Sequence, residues 1–334
     1  MQRVDLTDLF KGAVSVEETP EYMRPWRVPF KQAHLFVPNA INGKAEIPAG
    51  VRITFESDTT TIKIGVIADE VVLDFDVFVD GAFHQHVKVS ARETEFVVHA
   101  LESKNKHIDI YLSQKHPVSL TGVWIDDQAQ WSPVSSQQKR WITYGSSITQ
   151  CVDAESPAYT WPALVSRELN LDLTCLGFSA NCHMEPMLSR MIRDLPADFI
   201  SLCVGINIMG GSTLSKRTFA ASLIGFIQTI REKHPTTPMA IMSPVYCKER
   251  EEKENKVGLN LVIMRAEIEK VVQLLRTHGD KYIHYINGLD VFGEAYADYY
   301  PDGLHPNAEG YKVMGENMGR KIKEVFSGYD FLNM

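Results

Sequence analysis

The feature that most constrains this chain is a change of hydrophobic rhythm near residue 138. Before it, the runs VRITFES, TIKIGVIA, VVLDFDVFVDG, HVKVSA, TEFVVHAL and HIDIYLS alternate or cluster β-branched and aromatic residues. Asp, Gly, Ser, Asn and Lys turns divide them, at roughly the 8–12-residue interval of a β-sandwich. VFVDGAFHQHV reads as a hairpin that turns at Asp80-Gly81. No long helical period comes before about residue 130, and DDQAQWSPVSSQQKR reads as a linker. A length of 334 residues exceeds what one core usually serves. The expectation is an all-β sandwich of jelly-roll type over residues 1–135 and an α/β domain over 136–334.

In the second half five apolar segments, WITYG, LDLTCLGFS, DFISLCVG, PMAIMSP and YIHYING, alternate with helical periods. Trp161, Leu164, Val165 and Leu169 share one helical face, as do Phe219, Leu223, Phe226, Ile227 and Ile230. The last helix carries Tyr311, Met314, Met318, Ile322 and Val325. Near-continuous apolar strands separated by helices predict a parallel sheet covered on both faces. Such sheets hold ligands at the carboxyl ends of their strands.

Composition narrows the function. A net charge of −8 argues against a nucleic-acid binder, which would need a basic face. No apolar run reaches transmembrane length. The opening MQRVDLTDLFKGAV carries acids and no apolar core, unlike a signal peptide. Five cysteines, at 151, 175, 182, 203 and 247, make an odd number without CxxC spacing, which reads as reduced thiols in a cytoplasmic protein. His84 and His86 form an HxH pair on one strand face, but no third ligand is evident, so no metal site is expected. The run KEREEKENK, from Lys248 to Lys256, reads as a solvated loop or as a gate over the catalytic side.

Chemistry is therefore sought just beyond the strands. Gly145-Ser146-Ser147 follows the first, Ser179-Ala180-Asn181 the second and Gly205-Ile206-Asn207 the third. Asp302-Gly303-Leu304-His305-Pro306 lies beyond the fifth. Singly, each is weak. Ser147 could be a turn serine, Asn207 or Asn181 a turn asparagine, and His305 a surface residue with Pro306 at the first helical position. Together they contain what acyl transfer to a serine needs: a nucleophile, a base, an orienting group and oxyanion donors.

GSSIT is not the G-x-S-x-G elbow, because Thr149 stands where its last glycine belongs. The four spaced blocks, over about residues 138–327, instead resemble the SGNH hydrolases, the GDSL-like esterase and lipase superfamily. The resemblance implies a flavodoxin-like three-layer α/β/α catalytic domain. It implies Ser147 as nucleophile, His305 as base and Asp302 as its partner, with the N–H groups of Ser147 and Ala180 and the Asn207 amide as the oxyanion hole. Asn181 and His183 are candidate pocket residues; His183 could equally cap the next helix.

Two positions depart from the family pattern. Ser146 replaces the usual aspartate, whose local bonds must be remade. Ala180 replaces glycine; alanine keeps the main-chain N–H but is free of strain only at negative φ. The implied activity is hydrolysis of short, acetyl-like esters of a carbohydrate or other small molecule, with no cofactor, no nucleic-acid partner and no membrane partner. An acyltransferase would use the same acyl-enzyme. A non-catalytic carbohydrate-binding protein is the alternative of a different class. In that reading Trp26, Trp124 and Trp131 would serve the sandwich, although packing is the more ordinary use of them.

Overall fold

Ile53 and Phe55, Ile62 and Ile64, and Phe75 and Val77 are fully buried at every second position, the period of a strand facing a core. The structure, a computed structural model, describes residues 1–67, 70–135 and 137–332. Residue 68, the last of the TIKIGVIA run, and residue 136, where the second domain is expected to begin, lie outside the described residues. Two compact units emerge, one of residues 1–138 with 156–158, the other of residues 139–155 with 159–334.

The first unit contains two six-stranded antiparallel sheets. One sets Ser15–Glu18, Met23–Trp26, Leu120–Ile125, Ile62–Val66 and Glu95–Val98 side by side, with Gln2–Arg3 also on Leu120–Ile125. The other orders Trp131–Pro133, Arg52–Ser57, Lys106–Tyr111, Leu73–Val79 and Ala82–Val89, with Phe10–Lys11 also on Arg52–Ser57. Phe55, Ile64, Phe75, Val77, Ile110 and Val123 share one core, which makes the unit a sandwich. The hairpin turns at Asp80 and Gly81, with φ of +50° and +77°.

One part of the expected linker is instead a strand. Trp131–Pro133 pairs with Phe55–Ser57, and Trp131 packs against the core. It lies at the sheet's edge, where proline is tolerated. On the Leu73–Val79 strand, Asp76 is wholly buried. It accepts from Ser156 Oγ at 2.6 Å and Ala158 N at 2.7 Å, and its other oxygen lies 2.8 Å from His86 Nδ1.

The second unit holds a five-stranded parallel sheet. Its order is Leu171–Gly177, Lys139–Gly145, Phe199–Cys203, Met239–Met242, Ile283–Ile286. In chain order this is second, first, third, fourth, fifth, the flavodoxin-like order, which reverses between the first and third strands. The helices Trp161–Glu168 and Ala308–Val325 pack together, while Lys216–Arg231 packs on both Pro186–Asp194 and Leu261–Thr277. Trp141 to Gly145 and the whole of Phe199–Cys203 are buried, as a sheet covered on both faces requires.

Gly145 and Gly177 face each other in register at the ends of their strands. A Cβ on Gly177 would collide with the backbone of Thr149 and Gln150, and one on Gly145 with the Thr149 side chain. The turn after the first strand therefore rests on bare main chain. Gly177→Ala is expected to destabilise the protein by about 1–3 kcal/mol. Gly225→Ala, on an exposed part of the Lys216–Arg231 helix with open space around it, should stabilise it by up to about 1 kcal/mol. Urea denaturation midpoints check both; equal shifts would contradict the close-approach argument.

Candidate active site

Ser147 opens the helical turn Ser147–Gln150, and Ser146 caps it by accepting from Ile148 N at 3.2 Å. The serine that departs from the family pattern thus serves as an N-cap, a role Ser and Asp share. The turn is fixed from two more sides. The Trp161 indole N–H donates to Ile148 O at 2.8 Å, and Gln150 Oε1 accepts from Ser179 N at 2.9 Å. Ser147 N–H lies in the first turn, where a helix leaves its amides without intrahelical acceptors.

The chain then delivers His305 from a site 158 residues away. Ser147 Oγ and His305 Nε2 are 2.8 Å apart, and His305 Nδ1 and Asp302 Oδ2 are 2.6 Å apart. The other Asp302 oxygen accepts from Leu304 N at 2.9 Å and His305 N at 2.7 Å. These bonds close an Asx-type turn, in which Gly303 takes a φ of +76°. Burial raises the Asp302 carboxyl, but the hydrogen bonds from His305 and Leu304 outweigh it and hold it at about 2. Asp302 therefore keeps its charge well below the ordinary carboxylate range. Pro306 is not the first helical residue. Asn307 caps the Ala308–Val325 helix by accepting from Gly310 N at 2.9 Å.

Ser147, His305, Ala180, Asn207 and His183 all line one cavity of about 590 Å³, within the size range of small-molecule pockets. Asn207 Oδ1 accepts from Cys182 N at 3.0 Å, which orients the amide and leaves its NH₂ group as the donor. Among the described residues Ala180 N–H has no acceptor. Ala180 has a φ of +60°, so the strained alternative is the one adopted, at a cost for alanine of about 1–2 kcal/mol. His183 does not cap the next helix, whose N-cap is Glu185. Its ring spans Thr213 Oγ1 at 2.9 Å and Ala180 O at 3.0 Å. Tyr144 OH donates to Glu185 Oε2 at 2.8 Å and accepts from Met184 N at 3.0 Å. Burial raises the Glu185 carboxyl, offset in part by its hydrogen bonds.

Asn181 is absent from the cavity lining. It is buried, and its amide donates to Ser179 O at 2.5 Å, a turn role. Gln150, Thr213, Asp153 and Arg250 were not picked out from the sequence, though all but Gln150 line the cavity. Gln150 carried a faint signal, a polar residue one helical turn after Ser147; Arg250 was hidden inside a charged run. His86 contacts Asp76 and His84 contacts His99 O at 3.2 Å. Among the described residues no group of three His, Cys, Asp or Glu side chains is arranged to hold a metal, and no helix is long and apolar enough to cross a membrane.

Residues 138–323 match the model of the GDSL-like lipase/acylhydrolase family, and residues 8–118 match that of the SsfX3 N-terminal domain. The chain resembles the salicylyl-acyltransferase SsfX3 from a tetracycline biosynthetic pathway, at 33% identity and a TM-score of 0.89, over 95% of this chain and 94% of that one. A protein from Bacteroides ovatus described as a GDSL-like lipase matches at 23% identity and a TM-score of 0.78, over 98% of each chain. A family two carbohydrate esterase from Clostridium thermocellum shares the fold at 15% identity and a TM-score of 0.64, over 84% of this chain and 93% of that one. No curated protein matches the sequence. The sandwich, the five-stranded sheet and these matches together lead to one conclusion: the chain belongs to the GDSL-like lipase/acylhydrolase family of the SGNH superfamily, enzymes that act on acyl esters.

Proposed function

We propose that the protein is a serine esterase for short acyl esters of a carbohydrate or other small molecule, with Ser147, His305 and Asp302 as its triad. The observation that carries this reading is the relay from Ser147 Oγ through both His305 nitrogens to Asp302, at 2.8 and 2.6 Å. Both distances lie in hydrogen-bond range for a nucleophile, a base and its orienter.

Ser147 Oγ attacks the ester carbonyl carbon as its proton passes to His305 Nε2. Asp302 accepts from Nδ1–H, fixes the tautomer and stabilises the imidazolium. The carbonyl oxygen becomes an oxyanion, met by the N–H groups of Ser147 and Ala180 and by Asn207 Nδ2. Collapse breaks the bond to the alcohol, which leaves with the proton from His305. Water then adds to the acyl-enzyme, gives a proton to His305 and releases the acid, and that proton returns to Ser147. The His305 side chain is 27% exposed, so solvent reaches the base, which favours water as the acceptor.

A second reading has an alcohol in place of that water. The 33% identity with a salicylyl-acyltransferase over nearly the whole chain favours it. The reading as a sugar-binding sandwich is the weaker one, because its tryptophans are already engaged. Trp26 Nε1 donates to Glu17 at 2.9 Å, and the Trp124 ring lies over Gly65 and Gly122.

Ser147→Ala should abolish hydrolysis of a short acyl 4-nitrophenyl ester while circular dichroism stays unchanged; undiminished turnover would sink the assignment. Asn207→Ala should lower kcat by about 10²–10³-fold. Asp302→Asn should lower it by up to about 10⁴-fold, with KM far less affected. Product analysis with added alcohols separates the two acceptors: free acid alone supports the esterase, and a new ester the transferase.

A further inference from the structure

The charged run after the fourth strand is not a free loop. Lys248–Arg250 forms one helical turn, and Arg250 lines the same cavity as Ser147 and His305. Its guanidinium lies against Gly210, where a Cβ would come within 3.0 Å of Nη1. The segment is tied on the far side of Arg250 by two contacts. Glu251 receives two hydrogen bonds from Arg265, both 2.7 Å, and Asn255 Nδ2 donates to Met209 O at 2.9 Å. The second bond joins the loop to the Ile206–Gly211 helix that carries Asn207.

Arg250 differs from the other sheltered arginines nearby. Arg231 pairs with Asp280, and Arg265 pairs with Glu251. Arg250 is half-buried, yet among the described residues no carboxylate lies within ion-pair distance and its side chain donates to no group. A guanidinium that lines a cavity and has no protein partner keeps its donors for an anionic ligand.

We propose that Arg250 anchors a carboxylate on the substrate, so that the preferred esters are monoanions. The inference rests on the esterase or transferase reading of the same cavity. A guanidinium fork matches a carboxylate bidentately. A doubly charged phosphate suits the site less well, because the lining holds no second lysine or arginine and does hold Asp153.

The test compares kcat/KM within two pairs of esters. Ethyl hydrogen succinate against diethyl succinate places the charge in the acyl half. 3-Acetoxypropanoate against its methyl ester places it in the alcohol half. In the wild-type protein the anion is expected to be favoured by about tenfold or more in one pair. Arg250→Glu should reverse that preference, and Arg250→Lys, a point charge without the fork, should keep part of it. Ratios near one in both pairs, or a preference that survives Arg250→Glu, would overturn the anchor. Neutral esters that still turn over in a Ser147-dependent way would then leave the reaction itself standing. Calorimetry on the Ser147→Ala protein reads the anchor without turnover. There, at least one of the two anions should bind more tightly than its neutral ester, and adding Arg250→Glu should remove the difference; equal binding within both pairs overturns the proposal whatever the turnover.

Discussion

The second unit is organised around a place where backbone meets backbone. The turn from Ser147 to Gln150 lies on Gly177 and Gly145, two paired residues with no side chains to hold it away. Main chain against main chain leaves little room for adjustment, so Ser147 is set by the ends of two strands rather than by its own rotamer. The Trp161 and Gln150 bonds then fix the direction of the turn. His305 arrives on a separate loop and must find a hydroxyl whose position is already determined.

Much of this was legible in the sequence, because the signals concerned were periodic or punctual. Alternation marked the sandwich strands, and apolar runs bounded by glycine marked the parallel ones. The sheet order left no local trace, yet it decides that Ser147 and Asn207 stand just beyond the two strands where the order reverses. Three other features were hidden for physical reasons. The Trp131–Pro133 edge strand is too short to show a period. The sign of φ at Ala180 depends on a loop held by Gln150, which sequence proximity does not disclose. Arg250 sits among residues whose charges suggest solvent, and only the neighbouring Glu251–Arg265 pair shows that the segment is anchored.

The neutral cap at Ser146 has an electrostatic consequence. An aspartate there would satisfy the same amide and complement the helix end. It would also put a second permanent negative charge beside the hydroxyl that must lose a proton. With serine capping, Asp302 is the carboxylate that faces the imidazole, and its charge is kept by the two backbone amides it accepts from.

Residues 156–158 belong to the first unit although the chain around them belongs to the second. Asp76, with no exposed surface, takes two of its hydrogen bonds from that short segment. The boundary between the halves is therefore crossed more than once along the chain. A fragment ending near residue 138 would keep the buried Asp76 carboxylate but lack two of its donors, Ser156 Oγ and Ala158 N. The first unit is therefore not one continuous stretch of sequence, so any exchange of the sandwich between relatives has to carry this tripeptide with it.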